Sequence, residues 1–235
     1  RGQPMGRRID SLRQFLPRQV ALPFKFTGLN LWDFASKPAW WSRIARHGMP
    51  VMENLLGLAA HQTSASALAS SVGRNHDTGF DWAALQQVRD LWPRPLVLKG
   101  ILHPADAERA CAMGCDALVV SNHGGRQLDG ALSSIRRLPS IARAVGDQVE
   151  VWMDGGIRSG QDVLKALAMG AKATMIGRSY IYGLGAMGEA GVTAALEVIA
   201  KEIDITMALC GVREIAKFGR HNLMIPKGFE GDWEA

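Results

Sequence analysis

Cysteine is scarce in this sequence, and its three cysteines form no Cys-x-x-Cys pair. This odd, small number excludes a disulfide framework and favours a reducing compartment. No metal site is expected at Cys111 and Cys115, because no set of His ligands accompanies them. Long apolar runs are also missing. The longest uncharged stretch, residues 54–73, contains His61, Gln62 and Thr63, so it cannot cross a bilayer.

Negative charge is scarce in the first fifty residues. They hold nine Lys and Arg but only two Asp and no Glu, a net charge of +7, whereas the rest of the chain sums to about −2. Such a basic segment indicates an anionic partner, and an acidic substrate, a lipid surface or a nucleic acid would each satisfy it. Nucleic acid is the least favoured, because no binding motif is present and the aromatic residues are not interleaved on a strand surface.

From residue 93 onward, short apolar runs alternate with segments of helical periodicity. The runs lack polar alternation, which is typical of strands buried on both faces of a parallel sheet. We therefore predict an α/β fold with four parallel strands, each followed by a helix. The predicted strands are 95–100, 117–122, 150–156 and 173–178, and the predicted helices are 104–113, 132–145, 159–169 and 188–209.

The first 92 residues show no matching series of strands. They are interpreted as a basic, Trp-rich loop and helix segment, with helices near 40–47 and 82–91. Four strands cannot close a barrel, and 235 residues is slightly fewer than the roughly 250 of a complete (β/α)₈ barrel. We therefore expect the other half of the barrel to be missing from this chain or to come from another chain. The predicted divisions are 1–92, a half-barrel over 93–219, and a mobile tail over 220–235.

Polar residues stand where each predicted strand ends. They are Lys99, the run from Ser121 to His123, Asp154 and Arg178. Because the carboxyl ends of parallel strands meet at the same edge of a sheet, these residues are expected to form one site. Lys99 lies in an apolar run, so it needs an anionic partner, which is either a ligand or a structural carboxylate.

His123 and Arg126 are separated by two glycines, directly after a predicted strand. An imidazole exchanges protons near neutral pH, and a guanidinium binds a carboxylate in a bidentate manner, so the pair predicts an organic acid substrate. A structural His beside a surface Arg is the alternative.

Segments 154–160 and 176–178 each place glycine and Arg before a helix, which predicts a phosphate site made of bare N–H groups and fixed cations. Simple glycine turns are the alternative here.

Segments 121–129 and 154–160 resemble the FMN-dependent 2-hydroxy acid dehydrogenases and oxidases, and the resemblance runs from about Arg7 to about Glu214. It implies FMN as cofactor and a TIM barrel of which this chain carries the C-terminal half, strands 5–8. It also implies oxidation of an L-2-hydroxy acid of the lactate, mandelate or glycolate type to the 2-keto acid. A flavin-free phosphate-binding barrel and a non-catalytic half-barrel that serves as a partner subunit are the alternatives.

The resemblance also implies roles for individual residues. His123 is the expected base, Arg126 the expected carboxylate ligand, and Arg8 its helper, although Asp10 and Ser11 depart from the family pattern. The expected cofactor-binding residues are Lys99, Ser121, Asp154, Gly156, Arg158, Gly177 and Arg178. Lys99 is expected to stabilise negative charge on the flavin.

Residues 16–45 are basic and contain aromatic residues that we expect to be exposed, including Trp32, Trp40 and Trp41. This composition suits an anionic membrane interface. The resemblance to mandelate dehydrogenase-like members implies peripheral attachment to the cytoplasmic face of the membrane, with a quinone or another acceptor taking the electrons. Packing of these aromatics on the barrel or at a subunit contact is the alternative. The family also implies an otherwise cytoplasmic homotetramer.

Overall fold

The computed structural model describes residues 32, 33, 35–48 and 79–230. The chain divides into two compact units, Arg1–Gly79 and Phe80–Ala235. In the first unit, helix α1 (Pro38–His47) opens on a proline, where the missing N–H group is not needed, and ends on Arg46 and His47, whose basic side chains suit the negative end of the helix dipole. The Trp40 and Trp41 rings meet edge to face at 5.0 Å, and no residue of α1 is buried.

The second unit is a four-stranded parallel sheet with helices, as predicted. Its strands are β1 (Val97–Ile101), β2 (Ala117–Val120), β3 (Glu150–Met153) and β4 (Ala173–Thr174), in the order β1-β2-β3-β4. Its helices are α2 (Trp82–Leu91), α3 (Pro104–Ala112), α4 (Ser134–Val145), α5 (Gly160–Ala168), α6 (Arg178–Met187) and α7 (Glu189–Leu209). Each strand lies beside its predecessor, as in the wall of a barrel, whereas the strand order of a doubly wound sheet reverses.

The two faces of the sheet differ in composition. Leu118, Val120, Val151 and Met153 belong to the main apolar core with residues of α3, α4 and α5, and each is at most 2% exposed. Alternation along the strands places Lys99 and Val119 on the opposite face. The sheet is therefore anchored by one face, and the other presents polar groups where the strands end.

Strands β2, β3 and β4 end earlier than the sequence predicted, because the segments after their apolar runs turn out of the ladder, whereas β1 begins two residues later and ends one residue later than predicted. Helix α6 was missed altogether. Its interior contains Gly183 and Gly185, which lower helix propensity. Gly183 permits a close backbone crossing, since a Cβ atom there would lie 2.3 Å from the carbonyl oxygen of Gly191 in α7.

The boundary predicted at residue 92 lies earlier in the structure. Helix α2 belongs to the second unit, where Leu85 is buried in the main core. Arg89 of α2 donates hydrogen bonds to the carbonyl oxygens of Gly114 (2.9 Å) and Arg94 (2.6 Å) and pairs with Asp116 at 3.3 Å. Asp116 also accepts from the N–H group of Leu96 at 2.7 Å, so these contacts tie α2 to the start of β1.

The segment after Arg220, predicted as a mobile tail, packs on the second unit as far as Glu230. Leu223, Ile225 and Phe229 contact the main core. Glu230 accepts hydrogen bonds from Arg220 and from Arg143 of α4, the latter at 2.8 Å. These apolar and ionic contacts argue against a mobile tail over residues 220–230; residues 231–235 lie outside the described part.

We expect Glu230 to stabilise the fold in a pH-dependent manner. Burial raises the pKa of its carboxyl group, but hydrogen bonds from Arg220 and Arg143 and their positive charges outweigh burial and hold the pKa below its ordinary value of 4.5. Because the folded-state pKa is the lower one, the stabilisation is present above pH 4.5 and is lost as the pH falls through the folded-state value. Glu230→Gln should cost roughly 1 kcal/mol of unfolding free energy at neutral pH.

Thermal melts at neutral and acidic pH check this expectation. The difference in stability between the Glu230→Gln variant and the unmodified protein should shrink at a pH where Glu230 is protonated in both the folded and the unfolded protein. Glu214→Gln is the matched control, because Glu214 pairs with Lys217 in an exposed ion pair whose side chains are 62% and 69% exposed. A Glu230→Gln deficit that stays constant into acid would show that shape rather than charge is responsible.

Candidate functional site

Strand β1 and the turns after β2, β3 and β4 bring most of the predicted site residues to one cavity of about 250 Å³. Eight of them line it: Lys99, His123, Arg126, Asp154, Gly156, Arg158, Gly177 and Arg178. Ser121 is 2% exposed and lies behind Lys99, to which it is hydrogen-bonded. Arg8 falls outside the described residues. The candidate base, carboxylate ligand and phosphate ligands thus share one wall.

Lys99 is held by two side chains. Its Nζ atom donates to Ser121 Oγ at 2.7 Å and lies 2.5 Å from Asp154 Oδ2. The lysine side chain is 40% exposed, so its position in an apolar run does not bury it. The physical reason is that β1 is an edge strand of this sheet. Of the two kinds of partner expected for Lys99, a ligand or a structural carboxylate, the structure contains the carboxylate, which belongs to Asp154.

The second oxygen of Asp154 is unusual. Oδ1 is buried and has no hydrogen-bond donor among the described residues. An unsatisfied carboxylate oxygen is costly, because it loses hydration without replacement. Asp154 lines the cavity. The nearby Gly156 has a φ of +84°, and no atom lies within 4 Å of a Cβ atom placed on it. This arrangement suits a ligand hydroxyl group that approaches the backbone closely and donates to Oδ1.

The two glycine-Arg turns are not equivalent. At the start of α5, Asp162 accepts from the N–H groups of Arg158 and Ser159, both at 3.1 Å, and Glu202 accepts from that of Gly160 at 2.7 Å. The bare N–H groups predicted for this turn are therefore occupied over residues 158–160, and that part of the prediction is wrong. The sequence did not reveal Glu202, which comes from α7.

Helix α6 offers the better anion position. No side chain caps its N-terminus at Gly177, and the Arg158 and Arg178 side chains line the same cavity. Ser179 donates from Oγ to the carbonyl oxygen of Ile157 at 3.1 Å and so ties the helix start to the turn after β3. Two cations beside an uncapped helix start are a suitable site for a phosphate.

His123 begins a single 3₁₀ turn, His123–Gly125. Its φ of 55° is the only positive value among non-glycine residues in the described ranges. Its N–H group donates to Ser121 Oγ at 3.0 Å. Arg178 reaches this turn, since a Cβ atom on Gly124 would lie 3.4 Å from its Nη2 atom. The side chain of Arg178, at the start of α6, thus lies beside the turn after β2.

A larger cavity of about 570 Å³ shares Arg158, Arg178 and Ser179 with the first. Its remaining wall comes from α6 and α7, including Tyr182 and Val198. His123 and Arg126, the predicted base and the predicted carboxylate ligand, do not line it. Size alone therefore does not identify the site.

The cysteines take no part in this site. Burial raises the pKa of the Cys111 and Cys115 thiols, which disfavours the reactive thiolate. Within the described ranges, no group of three or more His, Cys, Asp and Glu side chains could hold a metal ion. In the same ranges, every helix is too short or too polar to pass through a bilayer.

Comparison with known proteins supports the same family as the motifs. The FMN-dependent dehydrogenase family matches residues 4–225. L-lactate dehydrogenase of Caulobacter vibrioides is 50% identical over 185 residues, which are 77% of this chain and 48% of that protein. L-lactate dehydrogenase of Stenotrophomonas maltophilia is 43% identical over 188 residues, 80% of this chain and 50% of that protein. The chain therefore spans about half the length of these curated relatives.

Solved structures give the same result. The monotopic membrane protein (S)-mandelate dehydrogenase superimposes with a TM-score of 0.79 and 37% identity, covering 92% of this chain and 55% of that one. A mandelate oxidase in complex with (S)-4-hydroxymandelic acid superimposes with a TM-score of 0.62 and 43% identity, covering 71% of this chain and 47% of that one. The family match extends over nearly the whole chain, so this protein belongs to the FMN-dependent dehydrogenases.

Proposed function

We propose that this protein oxidises an L-2-hydroxy acid to the 2-keto acid with FMN as cofactor, and that lactate, mandelate and glycolate represent its substrate class. The observation that carries the proposal is the single cavity lined by His123, Arg126, Lys99 and Arg178. These residues provide a proton acceptor, a carboxylate ligand, a positive charge and a phosphate ligand. The names of the lactate and mandelate dehydrogenase relatives support this substrate class.

The residues present fit FMN. The ribityl chain carries hydroxyl groups that would satisfy the buried Oδ1 atom of Asp154, and Gly156 leaves room for a chain beside the backbone. Arg158, Arg178 and the uncapped start of α6 at Gly177 would hold the phosphate. Lys99, held by Ser121, would place its charge beside the flavin ring. When bound, FMN supplies the acceptor for the two electrons that leave the substrate.

The side chains around the cavity would then divide the work. Arg126 binds the substrate carboxylate through parallel hydrogen bonds and fixes the orientation of the α-carbon. Arg8 assists it, a role that rests on the resemblance because Arg8 lies outside the described residues. His123 accepts the proton that leaves the substrate during its oxidation. The positive charge of Lys99 stabilises negative charge that develops beside it.

Arg126→Lys should impair both binding and turnover. A lysine keeps the charge but replaces the planar, bidentate guanidinium with a compact ammonium group, so the carboxylate loses its fixed orientation. We expect KM to rise and kcat to fall, with kcat/KM lower by roughly 10²-fold. Steady-state kinetics with L-lactate and L-mandelate check this, and Arg137→Lys, outside the cavity, is the control. A change in KM alone would mean that Arg126 does not orient the substrate for reaction.

We also infer that residues 93–219 form the C-terminal half of a (β/α)₈ barrel, strands 5–8. Sequential parallel strands with two open edges support this. The remaining strands would come from an amino-terminal half or from a second chain, and the complete barrels would assemble as a homotetramer. Size-exclusion chromatography with light scattering tests the assembly.

The flavin spectrum tests the proposed activity. The chain would be titrated with FMN, alone and together with the amino-terminal half of a lactate dehydrogenase relative, and L-lactate or L-mandelate would then be added without oxygen. Binding should perturb the flavin bands and substrate should bleach them. Binding of inorganic phosphate but not FMN would favour a flavin-free phosphate-binding barrel. Binding of the amino-terminal half without FMN would favour a non-catalytic partner subunit.

For residues 16–45 we propose peripheral contact with the cytoplasmic face of an anionic membrane, which would give access to a quinone or another acceptor. Exposed Trp40 and Trp41 lie beside Arg43 and Arg46 in α1, and this combination suits a headgroup interface. The structural relative named as a monotopic membrane protein supports the proposal. Flotation with anionic and neutral vesicles, with and without residues 16–45, tests it. Equal flotation of both forms would contradict it.

A further inference from the structure

The backbone of His123 requires support from its neighbours. Its left-handed conformation, with a φ of 55°, is unfavourable for a residue with a Cβ atom and persists only where surrounding contacts hold it. The hydrogen bond from its N–H group to Ser121 Oγ is one such contact. It does not fix the next part of the turn, where Gly124 and Gly125 also have positive φ values.

Asn122 closes the turn from the other side. Its Oδ1 atom accepts from the N–H group of Gly125 at 3.2 Å, and its Nδ2 atom donates to the carbonyl oxygen of Leu132 at 3.4 Å. Its backbone N–H group donates to Ser134 Oγ at 3.3 Å. The residue before His123 is therefore fixed by both its side chain and its backbone.

Ser134 is the anchor of this arrangement. It is the first residue of α4, is 2% exposed, and lies on a helix that packs against β2 and β3. Gly155, in the turn that carries Asp154, lies against the same groups: a Cβ atom there would be 3.1 Å from Ser134 Oγ and 3.3 Å from Asn122 Oδ1. Asn122 and Ser134 thus connect the turn of His123 with the turn of Asp154, the partner of Lys99.

We propose that Asn122 and Ser134 are positioning residues, which set the His123 imidazole relative to the Lys99–Asp154 pair. The proposal rests on the proposed function of His123 as the proton acceptor. Neither residue needs to touch substrate for this role. Loss of either should therefore slow the reaction without weakening the binding of substrate or flavin.

The test uses Ser134→Ala and Asn122→Ala in the flavin-loaded protein. We expect kcat to fall by roughly 10- to 100-fold, while KM and the flavin Kd stay within about threefold. Ser133→Ala is the matched control, because Ser133 precedes the helix and its side chain makes no capping hydrogen bond. Ser134→Thr retains the hydroxyl group and should recover most of the rate. Asn122→Asp retains the Oδ1 acceptor but places a carboxylate oxygen against the carbonyl oxygen of Leu132, so it should recover only part of the rate.

Amide hydrogen exchange over residues 121–126 supplies a readout that is independent of turnover. Exchange should be faster in both alanine variants, and across the whole set kcat should follow the protection of this segment. Lost protection with an unchanged kcat, or a lost kcat with intact protection, would overturn the proposal. An active His123→Gln variant would instead overturn the proposed function. An inactive His123→Gln variant beside a fully active Ser134→Ala variant would overturn the positioning role alone.

Discussion

His123→Gln should bind flavin normally and lose reduction of that flavin by substrate, with a rate lower by roughly 10²- to 10⁴-fold. Glutamine retains a polar side chain of similar size but cannot accept a proton near neutral pH. His123 lines the cavity, whereas the contacts proposed for the cofactor come from Lys99, Asp154 and Arg178. Because His123 is not among the proposed cofactor ligands, its replacement should leave flavin binding unchanged and slow only the reduction of the flavin. Stopped-flow absorbance of the flavin after mixing with L-lactate or L-mandelate measures it.

Two further variants make this result interpretable. His123→Asn covers the case in which glutamine disturbs the backbone, because asparagine tolerates the left-handed conformation that the φ of 55° requires. His103→Gln is the control, since His103 accepts from the N–H group of Ala105 at the start of α3 and does not line the cavity. Rapid reduction of the flavin in both His123 variants would exclude this residue as the proton acceptor.

The sequence was informative where chemistry and strand ends coincide. The apolar runs predicted four parallel strands, and the polar residues that follow them lie around one cavity. Lys99, His123, Asp154 and Arg178 could be selected because each follows or interrupts an apolar run. Their spacing along the chain and the rule that parallel strand ends converge were sufficient to predict the meeting point.

What the sequence did not reveal depends on contacts between distant segments. Ser134 carried no signal of a tertiary contact, but its hydroxyl group accepts a hydrogen bond from the N–H group of Asn122, eleven intervening residues away. Glu202 occupies the start of α5 from 42 residues away. Arg89 was not singled out from the sequence, but it ties α2 to the start of β1. In each case the side chain is polar and the packing of distant segments determines its partner. The hydrophobic periodicity of the local sequence therefore did not indicate which residue it would contact.

The missed helix α6 has the greatest consequence for the site, because Arg178 and Ser179 stand at its start. Its position depends on how closely it approaches α7. A Cβ atom at Gly191 would lie 1.9 Å from the carbonyl oxygen of Gly183, and one at Gly183 would lie 2.3 Å from the carbonyl oxygen of Gly191. Real atoms cannot be this close, so either substitution must separate the two helices. The proposed phosphate ligands would then move with α6.

Gly191→Ala is therefore expected to lower the free energy of unfolding by about 3 kcal/mol and to weaken FMN binding by roughly tenfold or more. Urea denaturation and a fluorescence titration with FMN measure the two effects. Gly185→Ala is the matched control on α6: no atom lies within 4 Å of a Cβ atom there, so the higher helix propensity of alanine should leave stability equal or raise it by about 0.5–1 kcal/mol. Opposite signs for two identical substitutions would establish that the helix crossing, rather than glycine content, holds the anion site in place. If Gly191→Ala behaved like Gly185→Ala, the close crossing would have no part in the fold or in cofactor binding.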